Sequence, residues 1–184
     1  MSTLQLTITN ADKHSRLSVF FRPLLAIPHM IVGGLWGFFV NFLTFFQWVR
    51  ILFTGSRSEG ILNKQNRWLA YATRVKSYQA YLFDAFPAFG SVPKTEPVTY
   101  MFTFTKDAKR LSAFFRIFIA IPAIIIQFFL SIGAGFILFF AWFALVFTGK
   151  YPLGMFGFVL KYRQFSARLS SYVMYMTDQY PKTA

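Results

Sequence analysis

Two long apolar runs dominate the chain. From Pro23 to Val49 there are 27 residues without Asp, Glu, Lys or Arg, and from Ile117 to Gly149 there are 33. About 20 predominantly apolar residues let a helix cross a ~30 Å hydrocarbon core, so the runs predict membrane helices. Two buried soluble helices of this length would need a large core around them. Ahead of the first run, Leu17, Phe20, Phe21, Leu24 and Leu25 recur at helical spacing, with Ser18 and Arg22 off that face. Earlier still, "LQLTITN" from Leu4 alternates in period two, as does "VTYMFTFT" from Val98, and each predicts a strand. After the first run, Trp68, Tyr71, Ala72, Val75, Tyr78, Gln79 and Leu82 mark one side of an amphipathic helix that also carries Arg67, Arg74 and Lys76. Tyr162, Phe165, Leu169, Tyr172 and Met176 mark a second such helix. Aromatic and basic side chains together predict that these helices lie at the headgroup level.

The pattern is written twice. "RLSVFFRPLLAIPHMI" from Arg16 returns as "RLSAFFRIFIAIPAII" from Arg110, with ten of sixteen positions identical. The offset of 94 persists through Pro28/Pro122, Trp48/Trp142, the "FTG" at Gly55/Gly149, Arg74/Arg168, Tyr78/Tyr172, Asp84/Asp178 and Pro87/Pro181. One register held across so many rare residues marks an internal duplication. The units divide as residues 1–90 and 98–184, with 91–97 as the linker inside a Pro-, Gly- and Ser-containing junction. The fold class expected is mainly α and integral to a membrane. Each repeat is a short strand, a long apolar helix or helical hairpin entered at a Pro, and an interfacial amphipathic helix.

Length and charge favour the hairpin. The 40 residues from Arg16 to Gly55 would make one helix ~60 Å long, twice the hydrocarbon core. Both flanks of both runs are basic, so a hairpin puts every cation on one face. Single spans would put eleven basic residues on one side and eight on the other, against the positive-inside tendency. An odd number of crossings would also invert the second unit relative to the first. A surface helix up to Pro28 followed by one tilted span is the alternative, because Gly33 and Gly34 do not align with Gly133 and Gly135.

Net charge is +13, but the cations border apolar runs and form no long polar tract. Anionic lipid is therefore the expected partner and nucleic acid is not. Arg16, Arg22, Arg110 and Arg116 are the leading candidates for headgroup contact. Arg74 and Arg168 join them as bidentate phosphate donors, or instead pair with Asp84 and Asp178 across the turn. Trp48, Trp68, Tyr78, Trp142 and Tyr172 are the candidate interfacial aromatics. The chain has no cysteine and two histidines, so neither a metal site nor a cofactor is expected. His29, whose counterpart is Ala123, reads as a helix-start or interfacial group. All six acids lie outside the runs, which disfavours proton-coupled transport. Asn41, Gln47 and Gln127 are expected to hydrogen-bond between helices.

Leu24 to His29, Leu52 to Gly55, Arg74 to Tyr78, and Asp84, Phe86 and Pro87 give a pattern that resembles the bacterial membrane family called domain of unknown function 4389. Ala120 to Pro122, Phe147 to Gly149, Arg168 to Tyr172, and Asp178, Tyr180 and Pro181 repeat it. The resemblance implies an integral membrane protein of bacterial type, with no known activity or catalytic residues. The function expected is non-enzymatic binding or organisation of lipid through the basic, aromatic helices, as a multi-pass protein of the bacterial inner membrane. The alternatives are an accessory or scaffold subunit of a larger membrane complex and, more weakly, a channel formed by a homo-oligomer.

Overall fold

The computed structural model describes residues 4–8, 13–90 and 98–182; the 91–97 linker expected from sequence lies outside them. Two strands, β1 (Leu4–Ile8) and β2 (Val98–Phe102), pair antiparallel. The first unit continues through α1 (Arg16–Leu25), α2 (Ile27–Thr54) and α3 (Glu59–Gln79). The second continues through α4 (Arg110–Thr148) and α5 (Leu153–Val173).

Neither apolar run turns back on itself, which corrects the hairpin expectation. α4 runs unbroken for 39 residues with Pro122 inside it. The first run bends only at Ala26, between α1 and α2, and Pro28 lies at the start of α2. There a proline's missing donor costs nothing, because early helical N–H groups have no intrahelical acceptor. The glycines that suggested a turn remain helical, and the stretch from Gly33 to Gly37 admits a large side chain. The Trp68 indole donates to the Gly33 carbonyl at 3.0 Å and packs so closely on Gly37 that an added Cβ there would meet the ring at 3.0 Å. Both runs end instead at "FTG". Gly55 and Gly149 take left-handed φ values of 68° and 70° and return their N–H groups to Ile51 and Leu145, a helix ending that glycine enters without the Cβ penalty.

After each glycine the next helix folds back along the run. Gln65 bonds Thr44 at 2.9 Å, Trp68 bonds Gly33, and the Tyr71 hydroxyl meets the His29 imidazole at 2.8 Å. α3 is therefore antiparallel to α2. In the same way Phe158 of α5 packs at Gly133, and Phe165 and Leu169 pack with Ala123 and Leu130. α3 and α5 also meet one another, with Trp68, Leu69, Thr73 and Lys76 facing Arg163, Ser166 and Ser170.

The two units are related by a pseudo-twofold axis. In the strand pair Leu6 is opposite Tyr100, its own counterpart at the offset of 94. His14 N–H donates to Gly149 O and Ala108 N–H to Gly55 O, both at 2.9 Å. Each unit's entry segment is thus tied to the end of the other unit's long helix, so the long helices run in opposite directions. Val19 packs with Ala141 and Leu145, and the symmetric set packs Ala113 with Ile51.

Gly55→Ala forces a Cβ into a left-handed residue and against the Arg110 guanidinium, 3.1 Å away. The left-handed conformation alone costs roughly 1–2 kcal/mol. A lowered thermal transition in detergent, with Gly60→Ala nearly neutral at its more open site, is the expected result.

Two buried arginine hubs beneath an exposed apolar face

Each long helix carries one arginine into the protein interior. Arg22 and Arg116 are 1% exposed. Such a cation must find acceptors within the fold, and it finds them at a helix end. α3 closes in a Schellman turn, with Tyr81 N–H bonded to Tyr78 O and Leu82 N–H to Ser77 O. The Arg22 Nη1 donates to Tyr78 O at 3.1 Å and Phe83 O at 3.0 Å, and Nη2 meets Asp84 Oδ1 at 2.6 Å. Its guanidinium also lies over the rings of Tyr78 and Tyr81, at 4.3 and 5.1 Å. The second unit repeats the set. Arg116 donates to Tyr172 O at 3.1 Å and Thr177 O at 2.9 Å, binds Asp178, and lies over Tyr172 and Tyr175.

The left-handed position of such a turn usually belongs to glycine. Here it is tyrosine twice, with φ of 59° at Tyr81 and 60° at Tyr175. The rings explain the choice, because each gives a buried guanidinium a second aromatic partner that glycine could not supply. The aspartates also accept from the chain entering the long helix: Ser15 N–H reaches Asp84 at 3.0 Å and Lys109 N–H reaches Asp178 at 3.2 Å.

The hubs differ in what the opposite unit contributes. Arg57 crosses to the second hub, where Nη2 meets Asp178 at 2.7 Å and Nε donates to Tyr175 O at 2.7 Å. It also donates to the carbonyls of Thr105 and Asp107. Its counterpart Tyr151 crosses to the first hub, where it packs with Tyr81 and its hydroxyl approaches Ala80 O at 3.4 Å. His14 completes that hub, 3.7 Å from Asp84. Burial, then the nearby Arg22 charge, hold its pKa below the usual histidine value despite the carboxylate. Burial raises the Asp178 pKa, but the hydrogen bonds and charges of Arg57 and Arg116 outweigh it and leave the net shift downward.

This geometry revises several sequence assignments. Arg22, Arg116 and Arg74 are enclosed by protein and present no guanidinium at the surface. Asp84 is held by Arg22, and Asp178 by Arg57 and Arg116, so the expected Arg74–Asp84 and Arg168–Asp178 pairs are replaced. Arg74 donates to Gly90 O at 2.7 Å and Arg168 to Lys182 O at 3.0 Å. Tyr78 and Tyr172 are buried ring platforms, and Trp68 turns inward against Gly33; none of the three lies on the outside as an interfacial aromatic would. His29 is likewise internal, stacked on Phe89 with centroids 4.0 Å apart. Gln47 accepts from Ser58 N–H at 3.0 Å at the start of α3, while Asn41 is exposed.

Arg16 and Arg110 remain at the surface. They lie against Gly149 and Gly55, where a cation complements the negative helix end. Trp48 and Trp142 are half-buried where the long helices meet, with Phe20 6.1 Å from Trp142. Among the described residues no three His, Cys, Asp or Glu side chains gather as a metal site.

The rest of each long helix is bare. α4 buries a single narrow stripe that includes Ala113, Ala120, Ala123, Ala134, Ala141 and Leu145. Most of its Phe and Ile side chains point away from the protein, as do most of those of α2, where Phe38 is 79% exposed; Ile51 and Ile137 turn inward. Contiguous apolar surface on this scale marks an interaction face.

The profile of a family described as a domain of unknown function (DUF4389) matches residues 16–91 and again 110–184. The chain belongs to the DUF4389 family. The two matches cover the helices of the two structural units but not their strands, and each contains one recurring set, Arg22 with Tyr78, Tyr81 and Asp84 or Arg116 with Tyr172, Tyr175 and Asp178. No curated protein and no solved structure matched the chain.

Removing one partner of a buried ion pair strands the other at a cost of ~3–5 kcal/mol. Asp178 neutralises two guanidinium groups and Asp84 one. Asp178→Asn should therefore lower the unfolding transition more than Asp84→Asn, measured by thermal unfolding in mild detergent. Acid should destabilise the fold in two steps. The lowered His14 pKa contributes stability above the unfolded histidine value of about 6.5 that is lost as pH falls below it. The depressed Asp178 pKa contributes stability above about 4 that is lost at lower pH. Transition temperatures recorded from pH 8 to 3 should show the upper step, and His14→Gln should abolish it.

Proposed function

We propose that this DUF4389 chain is a non-enzymatic, membrane-embedded protein that binds and organises lipid. The observation that carries the reading is the outward Phe and Ile surface of the two long helices, each helix being long and apolar enough to enter a bilayer. Water is a poor solvent for such a face, at roughly 25 cal/mol per Å² of apolar area. Acyl chains are a good one.

Charge supports the same reading. The net +13 is carried largely by groups flanking the apolar surface, including exposed Arg16, Arg110, Lys13, Lys109 and Lys150. Each basic group near an anionic surface adds about 1 kcal/mol of attraction. The expected headgroup contacts now fall on Arg16 and Arg110, because Arg22, Arg74 and Arg116 serve the fold. A bacterial inner membrane, rich in anionic lipid, is the setting proposed.

Flotation with liposomes tests the function. The chain should float with vesicles containing anionic lipid and bind neutral vesicles less. The paired variant Arg16→Gln with Arg110→Gln should weaken the anionic preference and leave the fold intact. Stoichiometric recovery with one large protein after mild-detergent extraction, together with failure to float alone, would replace lipid organisation with an accessory-subunit role.

A further inference from the structure

We infer that the chain lies flat in one leaflet, with its long helices parallel to the membrane plane and not across it. The inference rests on the membrane-embedded reading and specifies its geometry. Its first ground is length. Exposed apolar side chains extend from Leu111 to Phe147 in unbroken α4, about 54 Å at 1.5 Å per residue, and over the same number of residues, Leu17 to Phe53, through α1 and α2. Fitting that length into a ~30 Å core needs a tilt of roughly 55°, beyond the 0–40° range of spanning helices. The ends of the two antiparallel helices are level, His14 with Gly149 and Ala108 with Gly55, so no stagger shortens the problem.

The second ground is the position of three cations. Lys64, Arg67 and Lys161 are exposed, and all three lie beside the middles of the apolar runs. The Lys64 ammonium is 5.7 Å from the Phe39 ring. Arg67 adjoins Trp68, which bonds Gly33. Lys161 lies between Phe158, packed at Gly133, and Phe165, packed with Ala123 and Leu130. If the long helices stood upright, these three charges would face the bilayer centre, where ionisable groups are most costly and normally face a protein interior or a water-filled cavity. Laid flat, α2 and α4 form the lipid-facing layer. α3 and α5 form the layer above them, with Lys64, Arg67 and Lys161 at the headgroups or in water. Every cation among the described residues then lies on one side of the membrane, the condition that the basic flanks impose. Material inserted into one leaflet widens that leaflet, so dense coverage bends the membrane toward the protein.

Cysteine labelling tests the orientation directly, because the chain has no cysteine of its own. Lys13→Cys marks one end of the long helices, Lys109→Cys the other and Lys161→Cys the middle, all at exposed sites. Each variant is synthesised into preformed, dye-tight anionic vesicles, floated, and treated with a membrane-impermeant maleimide. A wild-type thermal transition certifies the fold of each. Complete labelling of all three without detergent is the expected result. Protection of either end until the vesicles are opened, or of Lys161→Cys until the protein is denatured, overturns the flat geometry while leaving membrane embedding intact. Failure to float overturns the embedded reading, and the inference with it.

Discussion

A guanidinium group cannot be left in a protein interior without acceptors, and this fold is arranged around two of them. Arg22 and Arg116 are both buried, at equivalent positions near the starts of the two apolar runs. Each places its two Nη groups on the far end of the helix that folds back along its own run. Two turn carbonyls, one aspartate and two tyrosine rings supply what water would otherwise supply. This requirement brings the end of α3 to the start of the first long helix, and the end of α5 to the start of α4. The left-handed tyrosines have the same origin, since backbone strain at one residue is offset by covering a buried cation.

The hubs also join the units. Arg57 of the first unit completes the hub of the second, and Tyr151 of the second completes the hub of the first. Duplication thus left equivalent positions in equivalent places while letting their chemistry diverge. One hub carries two guanidinium groups on one carboxylate, and the other carries a single guanidinium and an imidazole held neutral by burial. Because the exchange is reciprocal and the strands pair about the same axis, the two long helices are level and antiparallel. Their outward sides combine into one apolar layer on the far side from α3 and α5.

The repeat, the strands and the amphipathic segments that form α3 and α5 are legible in the sequence because each depends on local pattern. The interiors of the hubs are not. Asp84 lies 10 residues from Arg74 but 62 from Arg22, and proximity along the chain suggested the nearer partner. The usable signal was the joint recurrence of Arg22, Tyr78, Tyr81 and Asp84 at one offset. Arg57 gave no such signal, because its counterpart is a tyrosine that fills the same crossing without a charge. Length favours a hairpin only for a helix that must cross the bilayer close to its normal. Continuous α4 removes that premise, and an orientation in the membrane plane meets the same charge constraint without a turn.

The membrane account reduces to one geometric claim, that the axes of the long helices lie along the bilayer. α3 and α5 run beside them, so the helical part of the chain shares nearly one direction and gives an unambiguous orientation signal. Polarised infrared spectroscopy of the amide I band, in stacked anionic bilayers containing the intact protein, reads that direction. Helix axes close to the membrane plane are the predicted result. Axes within about 40° of the bilayer normal, the range of ordinary spanning helices, would contradict the account.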